Sequence, residues 1–183
     1  MRRASKLLGS SRAGVPERPG QITKEDCEYV RRGTRNIFMA VEPLGGHRET
    51  SVTARRTKVD FVQFVCGLLD GAYRHVTKLH LVLDNLNTHF RGSFEAVLGA
   101  KAAAVLERIE FHHTPKHASW LNLAELELGI MERQCTGRRL ATAEILAAEL
   151  HAWQQHRNNA KACLHWSFTR QDADRKLGRH YVT

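Results

Sequence analysis

The chain has 183 residues, 42% of them hydrophobic, enough for one sizeable core and too few for two ordinary domains. Lys and Arg number 28 against 19 Asp and Glu, a formal charge of +9 that favours a polyanionic partner such as nucleic acid or an acidic membrane face. No apolar run nears the ~18 residues of a membrane span. No apolar stretch follows the basic start MRRASKLLGSSRAG, and four scattered cysteines without a CxxC pair exclude a thiolate zinc finger and speak against a disulfide scaffold. This is the composition of a cytosolic, basic, single-domain protein.

Residues 1–28 read as an irregular basic arm. The first 35 positions hold nine basic and four acidic side chains, with the coil signals GSSRAG and PERPG and no hydrophobic period before Tyr29. A solvated tail competes there with a DNA-binding arm. Residues 35–42 and 49–54 predict two strands joined by PLGGH, a hairpin turn. Val59, Val62, Val65/Cys66 and Leu69 fall at helical spacing and predict a helix over 57–72. LHLVL, residues 79–83, is a short apolar run with the pattern of a strand buried on both faces. A helix over 92–106, a strand over 108–113, a helix over 123–135 and a last helix over 142–156 follow. Hairpin, helix, strand, helix, strand and two helices make an α/β domain with helices packed on a mixed sheet. The domain is expected over 29–160, with 161–183 as a tail or short helix.

Two stretches are richer in polar residues than packing requires. In LVLDNLNTH, Asp84 comes directly after a strand, the place where ligands of α/β sheets gather. Asp84-Asn85 can equally be a turn in which both side chains bond their own backbone. The added Asn85, Asn87, Thr88 and His89 favour a site. In HHTPKHASWLNLAELE, Asn122 and Glu125 have the spacing of an N-cap and an acid at the third helical position, worth about 1 kcal/mol as structure alone. Glu125 also lies on the least apolar strip of its helix. The stripes Leu123/Leu126/Ile130 and Ala124/Leu128/Met131/Cys135 take the buried sides, so Glu125 is preferred over Glu127, 200° around the helix. His80, His89, His112, His113 and His117 raise the question of zinc, but His113 and His117 are separated by a proline and lose the two-histidine helix-face geometry. His89 and His113 better suit hydrogen bonds that orient carboxylates or meet phosphate. Trp120, Trp153 and Trp166 read as packing residues.

VLDNLNTH, then EFHHTPKHASWLNLAELE and ERQC, resembles the catalytic domain of the IS630 (Tc1/mariner-related) insertion-sequence transposases, as do YVRRGT and WSFTRQDADRKL. The resemblance implies an RNase H-like (retroviral-integrase-like) α/β fold and metal-dependent DNA cleavage and strand transfer at transposon ends, in a bacterial cytoplasm. Asp84 matches the second acid of the DDE triad and Glu125 the third, as ligands of two Mg²⁺ (or Mn²⁺) ions ~3.5–4 Å apart. Asn85, Asn87, His89, His113 and Asn122 would support them. Double-stranded DNA bearing terminal inverted repeats is the implied partner, and a homodimer the implied active form. Arg31, Arg32, Arg55, Arg56, Lys58 and Lys116 are the basic candidates for phosphate contact. The strand that carries the first aspartate of the family is expected to be missing. Asp26, Asp60 and Asp70 are the early acids, and none follows a first strand. The family's helix-turn-helix region has no counterpart either. The expectation is a truncated transposase with impaired catalysis, unpaired sheet edges and exposed apolar surface. Two alternatives are a non-catalytic basic DNA-binding remnant and a stand-alone RNase H-like nuclease.

Overall fold

The computed structural model describes residues 2–12, 19–20, 27–114, 122–167, 169, 171–172 and 175. Pro43-Leu44-Gly45-Gly46 turns the chain between β2 (Tyr29–Glu42) and β3 (His47–Thr53), which pair antiparallel from Glu42 opposite His47 to Asn36 opposite Thr53. Gly46 is needed in this turn. Its φ is +67°, and a Cβ there would stand 2.6 Å from the Lys161 backbone carbon. That close approach lets the chain beyond the last helix dock on the turn. Leu164 is buried and donates its backbone N–H to Pro43 O at 2.8 Å. Packing therefore continues past residue 160.

The arm expected over 1–28 is corrected at its start, and so is the expected loss of a first strand. Arg2–Ser10 forms β1, antiparallel to β2 from Arg2 opposite Phe38 to Ser10 opposite Tyr29. A register shift between Lys6 and Leu8 turns Leu7 into the core, where it is 2% exposed. One buried side chain among basic and small neighbours leaves no readable period, and the ladder with β2 supplies the rest. No acid lies between Arg2 and Ser10. Asp26 lies outside the described residues.

β4 (Leu79–Leu83) and β5 (Ile109–His113) form a separate two-stranded parallel sheet, beside the three-stranded sheet ordered β1-β2-β3. β4 was expected to be buried on both faces. It alternates instead, with Leu83 buried and Val82 57% exposed, because helices cover only one side of it. β1 pairs with β2 no further than Phe38, so Met39–Glu42 pair with β3 alone. Among the described residues the two sheets do not pair with each other. A cavity of about 490 Å³ lies between Phe38–Glu42 of β2 with Pro43, Leu79–Leu83 of β4, α1 (Lys58–Asp70) and residues 122–124.

Alternation along β2 sends side chains into two cores. Ile37 and Met39 join Leu128, Met131, Leu146 and Leu150 of α4 (Leu123–Met131) and α5 (Ala143–Asn159). Phe38 joins Phe61, Val62 and Val65 of α1, Phe94 of α2 (Arg91–Leu98) and Leu106 of α3 (Ala102–Glu107). Helices thus flank the three-stranded sheet on both sides in a mixed α/β fold. Thr57 caps α1 with a reciprocal capping box to Asp60. The single helix expected over 92–106 is broken into α2 and α3 at Gly99, whose φ of +54° no helix accommodates, and a 3₁₀ turn bridges the break. The helix expected to reach 135 ends as α-helix at Met131 and passes through a π turn over Glu132–Thr136. Trp153 is buried, Trp166 is 39% exposed, and Trp120 lies outside the described residues. No described helix is long and apolar enough to cross a membrane.

Candidate active site

Asp84 is the first residue after β4, and the local structure holds it from several directions. Leu83 is locked in the core, and Thr114 N donates to Leu83 O at 2.9 Å, carrying the β4–β5 pairing one step beyond the strands. The Asn85 amide donates to Thr114 O. Asp84 is 9% exposed, and His89 donates from Nδ1 to its Oδ1 at 2.5 Å. His89 is 1% exposed, tilted against the Phe61 ring with centroids 4.6 Å apart. His113 Nε2 in turn donates to His89 O at 2.8 Å, and Ser93 Oγ to Thr88 O at 2.9 Å. A buried carboxylate with one oxygen set by an imidazole is oriented, not merely present.

Asn85, Asn87, His89 and His113 line one open cleft of about 360 Å³ with Leu86 and Phe90. Four of the supporting residues expected from the sequence are therefore brought together, on the loop that Asp84 begins and on the end of β5. His112, by contrast, points to the opposite face of β5 from His113, as alternation requires. His117 lies outside the described residues, and His112 and His113 do not share a face.

The second carboxylate sits on α4. Asn122 is the N-cap, its Oδ1 accepting from Ala124 N at 3.1 Å, and Glu125 occupies the first turn with its N–H donating to Asn122 O at 2.9 Å. Glu125 is exposed and makes no side-chain hydrogen bond or ion pair among the described residues. Ala124, Leu128, Met131 and Cys135 form the buried stripe as expected, but Leu126 is 48% exposed, so the other stripe is only partly covered.

Glu127 has a different environment. It is fully buried, and its Oε1 accepts from Arg48 Nε at 2.5 Å and Arg157 Nε at 2.7 Å, while Oε2 accepts from Arg157 Nη2 at 3.2 Å. Arg48 is itself fully buried, donating further to Gly46 O and to Ala162 O. Asn158 closes the group by bonding both the N–H and the C=O of Arg48. Sequence reading missed this cluster, since a lone Arg in a strand carries no signal of burial. The one available clue was Glu127 itself, an acid on the stripe side of an otherwise apolar helix.

The basic candidates divide into two groups. Arg31 and Arg32 are exposed on β2, with Arg31 over the Tyr29 ring at 6.0 Å; their hydrogen bond and the guanidinium charge hold the Tyr29 phenol below its ordinary range. Arg55, Arg56 and Lys58 are exposed between β3 and α1, and Lys58 Nζ stands over Phe90 at 5.2 Å, beside the Asp84 loop. Lys116 lies outside the described residues.

The end of β4 and the start of α4 border the same cavity, which Leu83 and Asn122–Ala124 help to line, and Asp84 and Glu125 are the next residues in sequence. Three polar atoms at this end of the fold, Thr88 Oγ1, Thr114 Oγ1 and Asn122 Nδ2, are buried without a hydrogen-bond partner among the described residues. Such groups are costly unless a ligand or water completes them. A comparison with curated proteins and another with solved structures found no match. The sequence profile of the DDE superfamily endonucleases, whose domains act on DNA and generally use divalent metals, matches residues 6–147. With that match over most of its length, the chain belongs to the DDE superfamily endonuclease family.

Proposed function

We propose that the chain is a transposase catalytic domain of the IS630 (Tc1/mariner-related) type, RNase H-like in fold, which acts on double-stranded DNA at insertion-sequence ends. Asp84 and Glu125 are its metal ligands, and the active form is a dimer that brings two transposon ends together. The observation that carries this reading is that the end of β4 and the first turn of α4 border one cavity, with an acid directly after the strand and another within that turn. The donor set suits a hard divalent cation such as Mg²⁺ or Mn²⁺, since it offers carboxylate oxygens and uncompensated hydroxyls rather than thiols.

When bound, a pair of such ions supplies activation of the attacking water or 3′-hydroxyl and charge stabilisation at the leaving oxygen. The protein's own part is positioning. His89 fixes the plane of the Asp84 carboxylate, and His113 fixes the backbone of His89. Asn122 sets the first turn of α4 and with it the direction of Glu125. Asn85 and Asn87, both exposed beside the cleft, are placed to meet phosphate or sugar. Lys58 and its neighbours Arg55 and Arg56 neutralise backbone charge next to the same loop.

A second reading has its own support. β1 bears no carboxylate, so the triad is incomplete on the first strand and cleavage by this chain alone is impaired. A basic DNA-binding remnant would account for the exposed Arg31 and Arg32 without any chemistry.

Duplex binding separates the two. Anisotropy titrations with a labelled inverted-repeat duplex are run over a salt series, with and without Mn²⁺, on the parent chain, Asp84→Asn and Glu125→Gln. The transposase reading expects Mn²⁺ to tighten binding by roughly tenfold in the parent and by nothing in either variant. If Mn²⁺ changes neither the affinity nor the salt slope of the parent, the metal-ligand assignment falls and the remnant reading replaces it.

A further inference from the structure

The outer face of the β4–β5 ribbon carries a polar cluster that the site above does not use. β4 and β5 run parallel with His80 opposite Glu110 and Val82 opposite His112. Alternation therefore gathers His80, Glu110 and His112 on the face that no helix covers, and all three are exposed. His80 Nδ1 lies 3.0 Å from His112 Nε2. The Glu110 carboxylate straddles the pair, with Oε2 3.6 Å from His80 Nδ1 and Oε1 3.4 Å from His112 Nε2. The two rings are stacked, centroids 5.3 Å apart and 22° from parallel.

These separations have a specific meaning. Bonds of ~2.0–2.1 Å in tetrahedral coordination place neighbouring ligand atoms ~3.3–3.4 Å apart. The three distances fall on either side of that edge, and since the two Glu110 contacts run through different oxygens, rotation of these exposed side chains, without backbone movement, is what brings one oxygen and two nitrogens round an ion. Without an ion, the same arrangement is an exposed hydrogen-bonded cluster, the kind that contributes little to stability. We propose that His80, Glu110 and His112 form a binding site for a borderline divalent transition metal, with Zn²⁺ as its type, distinct from the oxygen-ligand site of Asp84 and Glu125.

Two imidazoles and one carboxylate select zinc-like ions over Mg²⁺, which prefers oxygen ligands and gives up water reluctantly. Three protein ligands leave the fourth position to water. The structural consequence is a clip. A two-stranded sheet is marginal by itself, and this one ends in Asp84 and His113. An ion bridging His80 to Glu110 and His112 ties β4 to β5 upstream of those residues and stiffens the ribbon that presents Asp84.

The test uses the full chain, stripped by chelator and dialysed, then titrated calorimetrically with Zn²⁺ in excess Mg²⁺. Beside it run His80→Gln/His112→Gln, Glu110→Gln, Asp84→Asn and Cys27→Ser/Cys163→Ser, the last removing the exposed thiols. All are checked for native far-UV circular dichroism. The expected result is one Zn²⁺ per chain in the parent, in Asp84→Asn and in the cysteine variant. Affinity falls by roughly tenfold or more in the histidine and Glu110 variants, since loss of a ligand costs at least as much as loss of a ligand's supporting partner. Zn²⁺ also slows amide exchange across residues 79–83 and 109–113 in the parent and not in His80→Gln/His112→Gln. Absence of saturable Zn²⁺ binding in the parent overturns the proposal. So does binding that persists at full strength in His80→Gln/His112→Gln, which would place the ion elsewhere. Neither outcome bears on Asp84 and Glu125, whose metal dependence is read separately with Mn²⁺ and DNA.

Discussion

Glu125 and Glu127 are two residues apart on one helix, and their replacement by alanine should have opposite consequences. Glu127→Ala removes the acid from a cluster in which Arg48 has no exposed side-chain surface and the Arg157 side chain is 14% exposed. Arg48 keeps its bonds to Gly46 O and Ala162 O, but its charge is left buried and uncompensated, and no long side chain remains to fill the space. Breaking a buried pair from one side costs about 3–5 kcal/mol, a large part of the ~5–15 kcal/mol total of a typical domain. For a chain of this size each kcal/mol moves the melting temperature by about 2–4 °C, so the fall is roughly 10 °C. Glu125→Ala leaves no partner behind. It gives up a favourable charge at a helix start, about 0.3–1 kcal/mol, and regains most of that through the helix propensity of alanine. Urea unfolding followed by far-UV circular dichroism measures both. If Glu127→Ala costs less than about 1 kcal/mol, or if the two variants are equally unstable, the division into a buried structural acid and an exposed functional one is wrong. Arg48→Met/Glu127→Met is the control, since replacing both charges by apolar groups should recover much of the loss.

Three smaller predictions test other parts of the fold. Gly46→Ala forces a side chain onto a positive φ and against the Lys161 backbone, and should cost upwards of ~1–2 kcal/mol in urea unfolding while releasing the 161–164 segment to protease. Thr57→Ala removes the side-chain half of the α1 capping box, leaving Asp60 to accept from the residue 57 backbone, and should cost about 1 kcal/mol by the same assay, with an unchanged dependence on urea. Burial, and then Glu42, pushes the Tyr73 phenol up to about 12 from an ordinary 10. The folded chain keeps a proton that the unfolded chain releases, so this contribution to stability is whole below pH 10 and is lost as pH rises from 10 to 12. Tyr73→Phe should flatten the pH dependence of the urea midpoint in that window, and an unchanged slope would assign it to other groups.

What the sequence disclosed depended on whether a signal was local. Thr57 and Asp60, the apolar period of α1 and the run Leu79–Leu83 each state their own structure within a few residues, and these elements appear almost where the patterns put them. β1 could not be read in this way. Its place depends on hydrogen bonds to β2 some thirty residues away, and a single inward Leu7 makes no period. The long helix expected before β5 failed at Gly99, where three alanines after the break hid the cost of a positive φ. In the site region the order of polar residues in the Asp84 loop was legible, and so was the role of Asn122 as a cap. The bond from His89 to Asp84 was only guessed at in kind. Arg48 was not foreseen at all, because its partners Glu127, Asn158 and Ala162 become neighbours only when β3 packs with α4, α5 and the chain beyond.

The two candidate acids, Asp84 and Glu125, are therefore prepared to different degrees. Asp84 has been desolvated and oriented during folding: its strand is anchored by Leu83, its loop by Asn85 and Ser93, and its carboxylate by His89, which Phe61 and His113 hold in turn. Little conformational entropy remains to be lost there when a ligand binds. Glu125 retains its rotamers on an exposed first turn, and its ordering must be offset by whatever it binds. Folding energy has thus been invested in the acid that follows a strand, while the acid on the helix is left to adjust. On the proposed reading, that division suits a site whose occupant arrives together with DNA: a ligand anchored first at Asp84 would be completed from the helix side once the nucleic acid is in place.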